Sequence, residues 1–298
     1  MRSPSSKRQP LPSRSFALLL AMTPGVGAKT VVRVCSRNAL LGRSPEEFLR
    51  LPGEVLREEY RLHRRAVANL IEGRSALLKS AQALEARLGA LGVSLVTSVD
   101  AGYPALVEVF DPDPPGVLFL YGNMGLLDGR TFAVLSSRKS LPADHELIER
   151  LVEEGVLAGE VLVCGHDTPE YQRAAVVPLR WGSPRILCLD RGLFRVLGEN
   201  LRDEAFRAAR LWRYEFDPSV DLVVSPFRPE SDFIGVNNKQ RDRLVASLAR
   251  RADFVQVAEG GNMHALARMA LKAGRPVRIS DRSPGYRSLV EAGAVAIS

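Results

Sequence analysis

The stretch that decides the fold runs from Lys239 to Ser280, KQRDRLVASLARRADFVQVAEGGNMHALARMALKAGRPVRIS. It reads as basic helix, buried strand, glycine turn, helix and strand. Phe254 to Ala258 is a short apolar run suited to a buried parallel strand. Gly260 and Gly261 follow at once, and a helical pattern opens near Met263. A glycine turn between strand and helix exposes backbone N–H groups at a helix N-terminus, where phosphates bind. Lys239, Arg241 and Arg243 stand just upstream. The stretch therefore reads as a polyanion site held against a Rossmann-like sheet. Strand–glycine–helix turns also serve packing alone in α/β proteins.

The same alternation extends backwards along the chain. Strands are expected at Val117–Tyr121, Phe132–Ser136, Val161–Cys164, Arg185–Leu189, Asp221–Ser225, Phe254–Ala258 and Pro276–Ile279, with a further one at VSLVT after Gly92. Helices fall near 144–158, 167–176, 199–210, 237–251, 263–273 and 284–292. This spacing argues for a parallel sheet covered on both faces. Ligands in such sheets bind at the carboxyl ends of the strands.

Residues 15–91 read as helical throughout. FALLLAMTPGVGAKT gives helix, turn, helix, and the two glycines of PGVG permit either a DNA-contacting hairpin or a plain αα-hairpin. Ser44 and Glu47 form a capping box. Arg57, Arg61, Arg64, Arg65 and Arg74 are diluted by Glu54, Glu58 and Glu59, which describes a solvated helix face. The domain division expected is a basic tail over 1–14, a helical domain over 15–91 and an α/β domain over 92–298.

Composition sets limits. The chain has 298 residues, 46% of them hydrophobic, and a net charge of +7. That excess is compatible with nucleic acid without requiring it. No apolar run reaches membrane-spanning length. Cys35, Cys164 and Cys188 match no zinc spacing, and the latter two lie in strand patterns, so buried free thiols and a reducing cytoplasm are expected.

In order and spacing the motifs resemble the DprA/Smf family of DNA-processing proteins. LGVSLVTSVDAGYPALVEVFDPDPPGVLFLYGN is similar to the family's GxxxLTxxDxxYPxxLxxIxDPPxxLFxxG run, with Asp100, Tyr103, Pro104, Asp113, Pro114, Pro115 and Gly122 in place. AVLSSRKS keeps the Ser137 and Arg138 of VGSR, with Ser136 where glycine is expected. KQRDRLVASLA resembles FPxRNRIIAGLS through Arg241, Arg243, Leu244, Val245, Ala246 and Leu248. The departures are as specific. SGLARGID-AH becomes CGHDTPEYQRAA, which keeps Gly165 but not the phosphate-cradling glycine series, and no counterpart of the family's winged-helix tail is expected.

The resemblance implies an extended Rossmann-like parallel sheet of the SLOG/DprA type with an N-terminal helical domain. It implies a cytoplasmic, non-enzymatic homodimer that binds single-stranded DNA, helps load a RecA-type recombinase in DNA uptake and transformation, and needs no cofactor. The DNA-binding residues expected are Ser137, Arg138, Lys239, Arg241, Arg243, Gly165, Gly260 and Gly261. Dimerisation is expected through the apolar stripe Ala265, Leu266, Met269, Ala270 and Ala273, together with Tyr286, Leu289 and Val290. The alternative is a Rossmann protein that binds or hydrolyses a nucleotide derivative. Phosphoribohydrolases carry PGGxGTxxE at this turn, and residues 265–268 here hold no carboxylate. His166 with Asp167, and His264 near Glu259, lack a third partner at diagnostic spacing for acid–base chemistry.

Overall fold

The computed structural model describes residues 13–137 and 140–297. It divides into two compact units. The first contains helices α1 (Ser13–Met22), α2 (Ala28–Leu40), α3 (Pro45–Leu49), α4 (Gly53–Glu58), α5 (Arg64–Glu72) and α6 (Arg74–Ala90). Its core is Leu18, Leu19, Leu20, Phe48 and Tyr60, with Phe48 edge-on to both Phe16 and Tyr60. The capping box at Ser44 and Glu47 is present. The PGVG turn is used internally: Gly25, at φ +89°, lies against Ala66, and Asn69 Nδ2 donates to the Pro24 carbonyl at 3.0 Å. Packing accounts for this turn.

The sequence places the boundary at Leu91, but the first unit also takes in 95–103 and 115–117. These segments include most of strand β1 (Ser94–Thr97) and are stitched to one another. Ser98 N donates to the Gly116 carbonyl at 3.2 Å, and the Tyr103 hydroxyl donates to the Pro115 carbonyl at 2.5 Å.

The second unit carries α7 (Ala105–Phe110), β2 (Val117–Gly122), β3 (Thr131–Leu135), α8 (Pro142–Leu157), β4 (Val161–Cys164), α9 (Pro169–Arg180), β5 (Arg185–Cys188) and α10 (Leu193–Leu197). It continues with β6 (Leu222–Ser225), α11 (Asn237–Leu248), β7 (Arg251–Phe254), α12 (Asn262–Lys272), β8 (Val277–Ser280), α13 (Tyr286–Glu291) and β9 (Val295–Ile297). Strands β2 to β9 lie in one mostly parallel sheet in the order β2-β6-β5-β4-β3-β7-β8-β9, with only β2–β6 antiparallel. The expected α/β architecture is therefore present. The chain leaves β3 in one direction through β4 and β5 and returns on its other side at β7. This creates a switch point, where the crevice beyond the carboxyl ends receives ligands.

Four elements differ from the reading of the sequence. β7 begins three residues before the apolar run Phe254–Ala258 because charged residues can occupy a buried strand once they are paired. Arg278 clamps the fully buried Asp253 with two bonds of 2.7 Å, and Arg251 reaches Glu160 at 2.5 Å while also pairing with Asp253. The expected helix over 199–210 does not form. Leu201 adopts φ 58°, Asp203 bridges Glu215, and only a short 3-10 turn, Arg207–Leu211, remains, because Glu204 and Phe206 are drawn inward. Short apolar segments such as α10 and β9 are too brief to show a period.

Candidate functional site

The loops leaving β3 and β7 meet beyond the switch point. Ser137 N donates to the Gln256 carbonyl at 2.6 Å, and Ala258 N donates to Ser137 Oγ at 3.4 Å. The two loops are thus fastened at Ser137, next to the position where Ser136 replaces a glycine of the resembled motif. The Ser136 hydroxyl is satisfied by Ser140 Oγ at 2.9 Å. Arg138 lies outside the described residues.

After β7 the chain turns through Gly260, at φ +70°, where other residues are strained. Gly261 then caps α12 without a side-chain hydrogen bond, and the first turn of this 11-residue helix carries no acid. Its leading N–H groups and the positive end of its dipole face an open crevice. That crevice is a cavity of about 550 Å³ lined by Ser137, Lys239, Arg241, Gly261, Asn262 and Phe233, among others. Lys239 is exposed and also lines a second cavity, of about 570 Å³, bordered by α7, α11 and α12.

Arg241 occupies a different position. It is 1% exposed and forms the wall. Its guanidinium bonds Asp242 at 2.8 Å and Asn238 at 3.1 Å, pairs with Asp167, and stacks 4.6 Å from the Tyr171 ring centroid. The Tyr171 hydroxyl returns a bond to Asp242 at 2.9 Å. Burial first, and then Asp242, push this phenol well above its ordinary pKa. Gly165 is what permits the stack, since a Cβ there would stand 2.8 Å from both Arg241 Nη1 and the Tyr171 ring. Arg243 points away from the crevice and pairs with the buried Asp111. Of the expected residues, the structure brings Ser137, Lys239, Arg241 and Gly261 around one cavity, with Gly165 behind Arg241 and Gly260 in the adjoining turn.

Beside this cavity lies one of about 510 Å³ with a different character, lined by Asp167, Glu170, Asp190, His145, Arg191 and Phe233. Asp190 is fully buried and held by Arg191 at 2.7 Å, and Arg191 covers the Phe233 ring at 5.1 Å. His166 sits 3.8 Å from Asp190. Burial lowers its pKa to about 4 despite the opposing pull of Asp190, so the imidazole is neutral at physiological pH. Glu170, Asp190, Asn238 and Phe233 escaped sequence reasoning, because they come from separate loops and match no short pattern.

No protein-family model and no curated protein matches the sequence. Solved structures do. The DNA processing protein A (DprA) of Streptococcus pneumoniae superposes with a TM-score of 0.67 at 18% identity, covering 97% of this chain and 95% of that one. DprA of Helicobacter pylori superposes with a TM-score of 0.52 at 20% identity, over 69% of this chain and 90% of that one. Both the order of elements and the extent of the match point the same way: the chain has the fold of these DprA proteins.

Proposed function

We propose that the crevice between β3 and β7 holds the backbone of single-stranded DNA. The carrying observation is the cavity where the exposed Lys239 ammonium, the Ser137 hydroxyl and the uncapped α12 N-terminus converge. These are one cation and several fixed donors around one cavity, the groups a phosphate site needs, and phosphate contacts dominate strand affinity. Phe233, 40% exposed at the mouth, offers a face on which a base can stack. Arg241 and Gly165 act by holding the wall, whereas Arg243, turned towards Asp111, stands outside the crevice. The fold shared with the H. pylori protein, whose structural study concerns single-stranded DNA binding, supports the reading. In its finer form the protein is a non-enzymatic, cytoplasmic homodimer that prepares single strands for a RecA-type recombinase during DNA uptake.

A second reading takes one nucleotide or nucleotide derivative. The carboxylates of the adjoining cavity favour it, since Asp167, Glu170 and Asp190 repel a continuing phosphate chain but can accept bonds from a base or ribose. One experiment separates the two. Labelled oligo-dT is titrated with parent and Lys239→Glu protein, then competed with a nucleoside monophosphate. The single-strand reading expects weaker binding by the variant and no displacement at equal concentration. Efficient displacement by the mononucleotide, or equal binding by the variant, overturns it.

A further inference from the structure

A second surface lies at the opposite end of the sheet. Helix α9 runs from the carboxyl end of β4 back to the start of β5, so Arg180 and Trp181 stand at the edge where β5 and β6 begin. Twelve residues of helix separate them from the crevice, about 18 Å. The 3-10 turn Arg207–Leu211 and the residues after it reach the same edge, with Arg180 stacked 5.2 Å from the Trp212 ring centroid. Arg210 lies 5.7 Å from the Tyr214 ring.

The segment is anchored from below and bare above. Phe206, Ala209 and Phe216 are buried, Phe216 lies 5.6 Å from Tyr121, and Phe216 N donates to the Arg202 carbonyl at 2.8 Å. Between these anchors the chain turns its large side chains outward. Trp181 is 51% exposed, Trp212 41%, Tyr214 74% and Leu211 81%. Contiguous exposed apolar surface of this kind marks an interaction site. The charge around the rings is not neutral. Glu149 is occupied by Arg173 and Arg180, Glu153 by the Trp181 indole, and Asp221 by Arg185 and Arg213. Glu215 lies 3.9 Å from Arg202. Arg207 and Arg210 are exposed and form no ion pair among the described residues.

We infer that this edge is a stacking platform for single-stranded nucleic acid, separate from the strand-end crevice. Trp181, Trp212 and Tyr214 present faces to unpaired bases, and Arg207 and Arg210 meet the phosphates between them, the combination that single-strand binders use. Duplex bases are already stacked on one another and cannot use the faces. A protein partner also favours Trp, Tyr and Arg. Two unpaired guanidiniums among exposed rings favour a polyanion carrying π-faces.

The chain reports on this surface by itself, because its two tryptophans, Trp181 and Trp212, are both here. The full-length protein is titrated with oligo-dT of about six nucleotides, within the range of a single-strand site, while tryptophan emission is followed. The expected result is saturable quenching, absent with duplex and retained in Lys239→Glu protein. Tyr214→Ala weakens it by about 5- to 150-fold, the range for losing one base-stacking aromatic. Arg207→Ala/Arg210→Ala also weakens it, and provides the test should Tyr214→Ala fail to fold. Unchanged emission at low salt, equal quenching by duplex, or equal affinity in the variants overturns the inference. So does quenching that appears only with an added protein. Failure of the crevice is read separately, from the anisotropy of Lys239→Glu, so the two sites stand or fall independently.

Discussion

At the scale of single residues, burial decides what a polar group does. His166 is held neutral by burial, with its pKa at about 4 against an ordinary 6.5. The unfolded chain therefore takes up a proton before the folded one does. This contribution to stability is complete above pH 6.5 and is lost as the pH falls towards 4, by about 3 kcal/mol in all. Urea unfolding between pH 7 and 4 checks this: the parent's midpoint falls and that of His166→Asn falls less. Equal pH slopes would show that His166 is solvated. Gly155 makes a second case. A Cβ there would lie 2.3 Å from the buried Phe132 ring, so Gly155→Ala is expected to cost about 1–3 kcal/mol by overpacking, read as a lower unfolding midpoint. Neither fact is visible in the sequence, because each depends on a neighbour from a distant part of the chain. Gly260 and Gly261, by contrast, were readable, since a strand–turn–helix junction needs them locally.

At the scale of elements, strands that hold an apolar run were legible, and β7, whose bounds rest on paired charges, was not. Val161–Cys164 appears as a strand with the bounds its apolar run predicts. Arg251–Phe254 does not, because its charges are neutralised by Arg278 of β8 and by Glu160, the residue before β4. The failed helix over 199–210 has a similar cause. Arg185 enters β5 fully buried and bonds Glu204 at 2.5 Å, Asp221 at 3.0 Å and the Ala175 carbonyl at 3.2 Å. Glu204 cannot reach Arg185 and also continue a surface helix. Removing one partner leaves an uncompensated buried charge, so Glu204→Ala is expected to cost about 3–5 kcal/mol. The double variant Arg185→Met/Glu204→Leu should recover much of that loss. A double variant no more stable than Glu204→Ala would show that the segment is held by packing alone.

At the scale of the whole molecule, the questions are partner and assembly. Leu289 was expected at a dimer surface, but it is fully buried, so Leu289→Glu would attack the core instead. Val109, Ala265, Met269 and Ala273 line the open groove of about 570 Å³ on the second unit. If copies of the chain pair there, each substitution acts twice across the two-fold axis. Light scattering then gives a dimer for the parent and a monomer for folded Met269→Glu, and a monomeric parent removes the homodimer from the account. The central claim is that the crevice at the switch point holds a single strand by its phosphates. Its most direct test is the anisotropy of labelled oligo-dT and of a matched duplex across a salt series. The account predicts preference for the single strand and a linear fall of log K with log salt, of about 0.7 per phosphate contact. In Lys239→Glu that slope should lessen by about one contact. No binding at low salt, or duplex bound as tightly as the single strand, would contradict it.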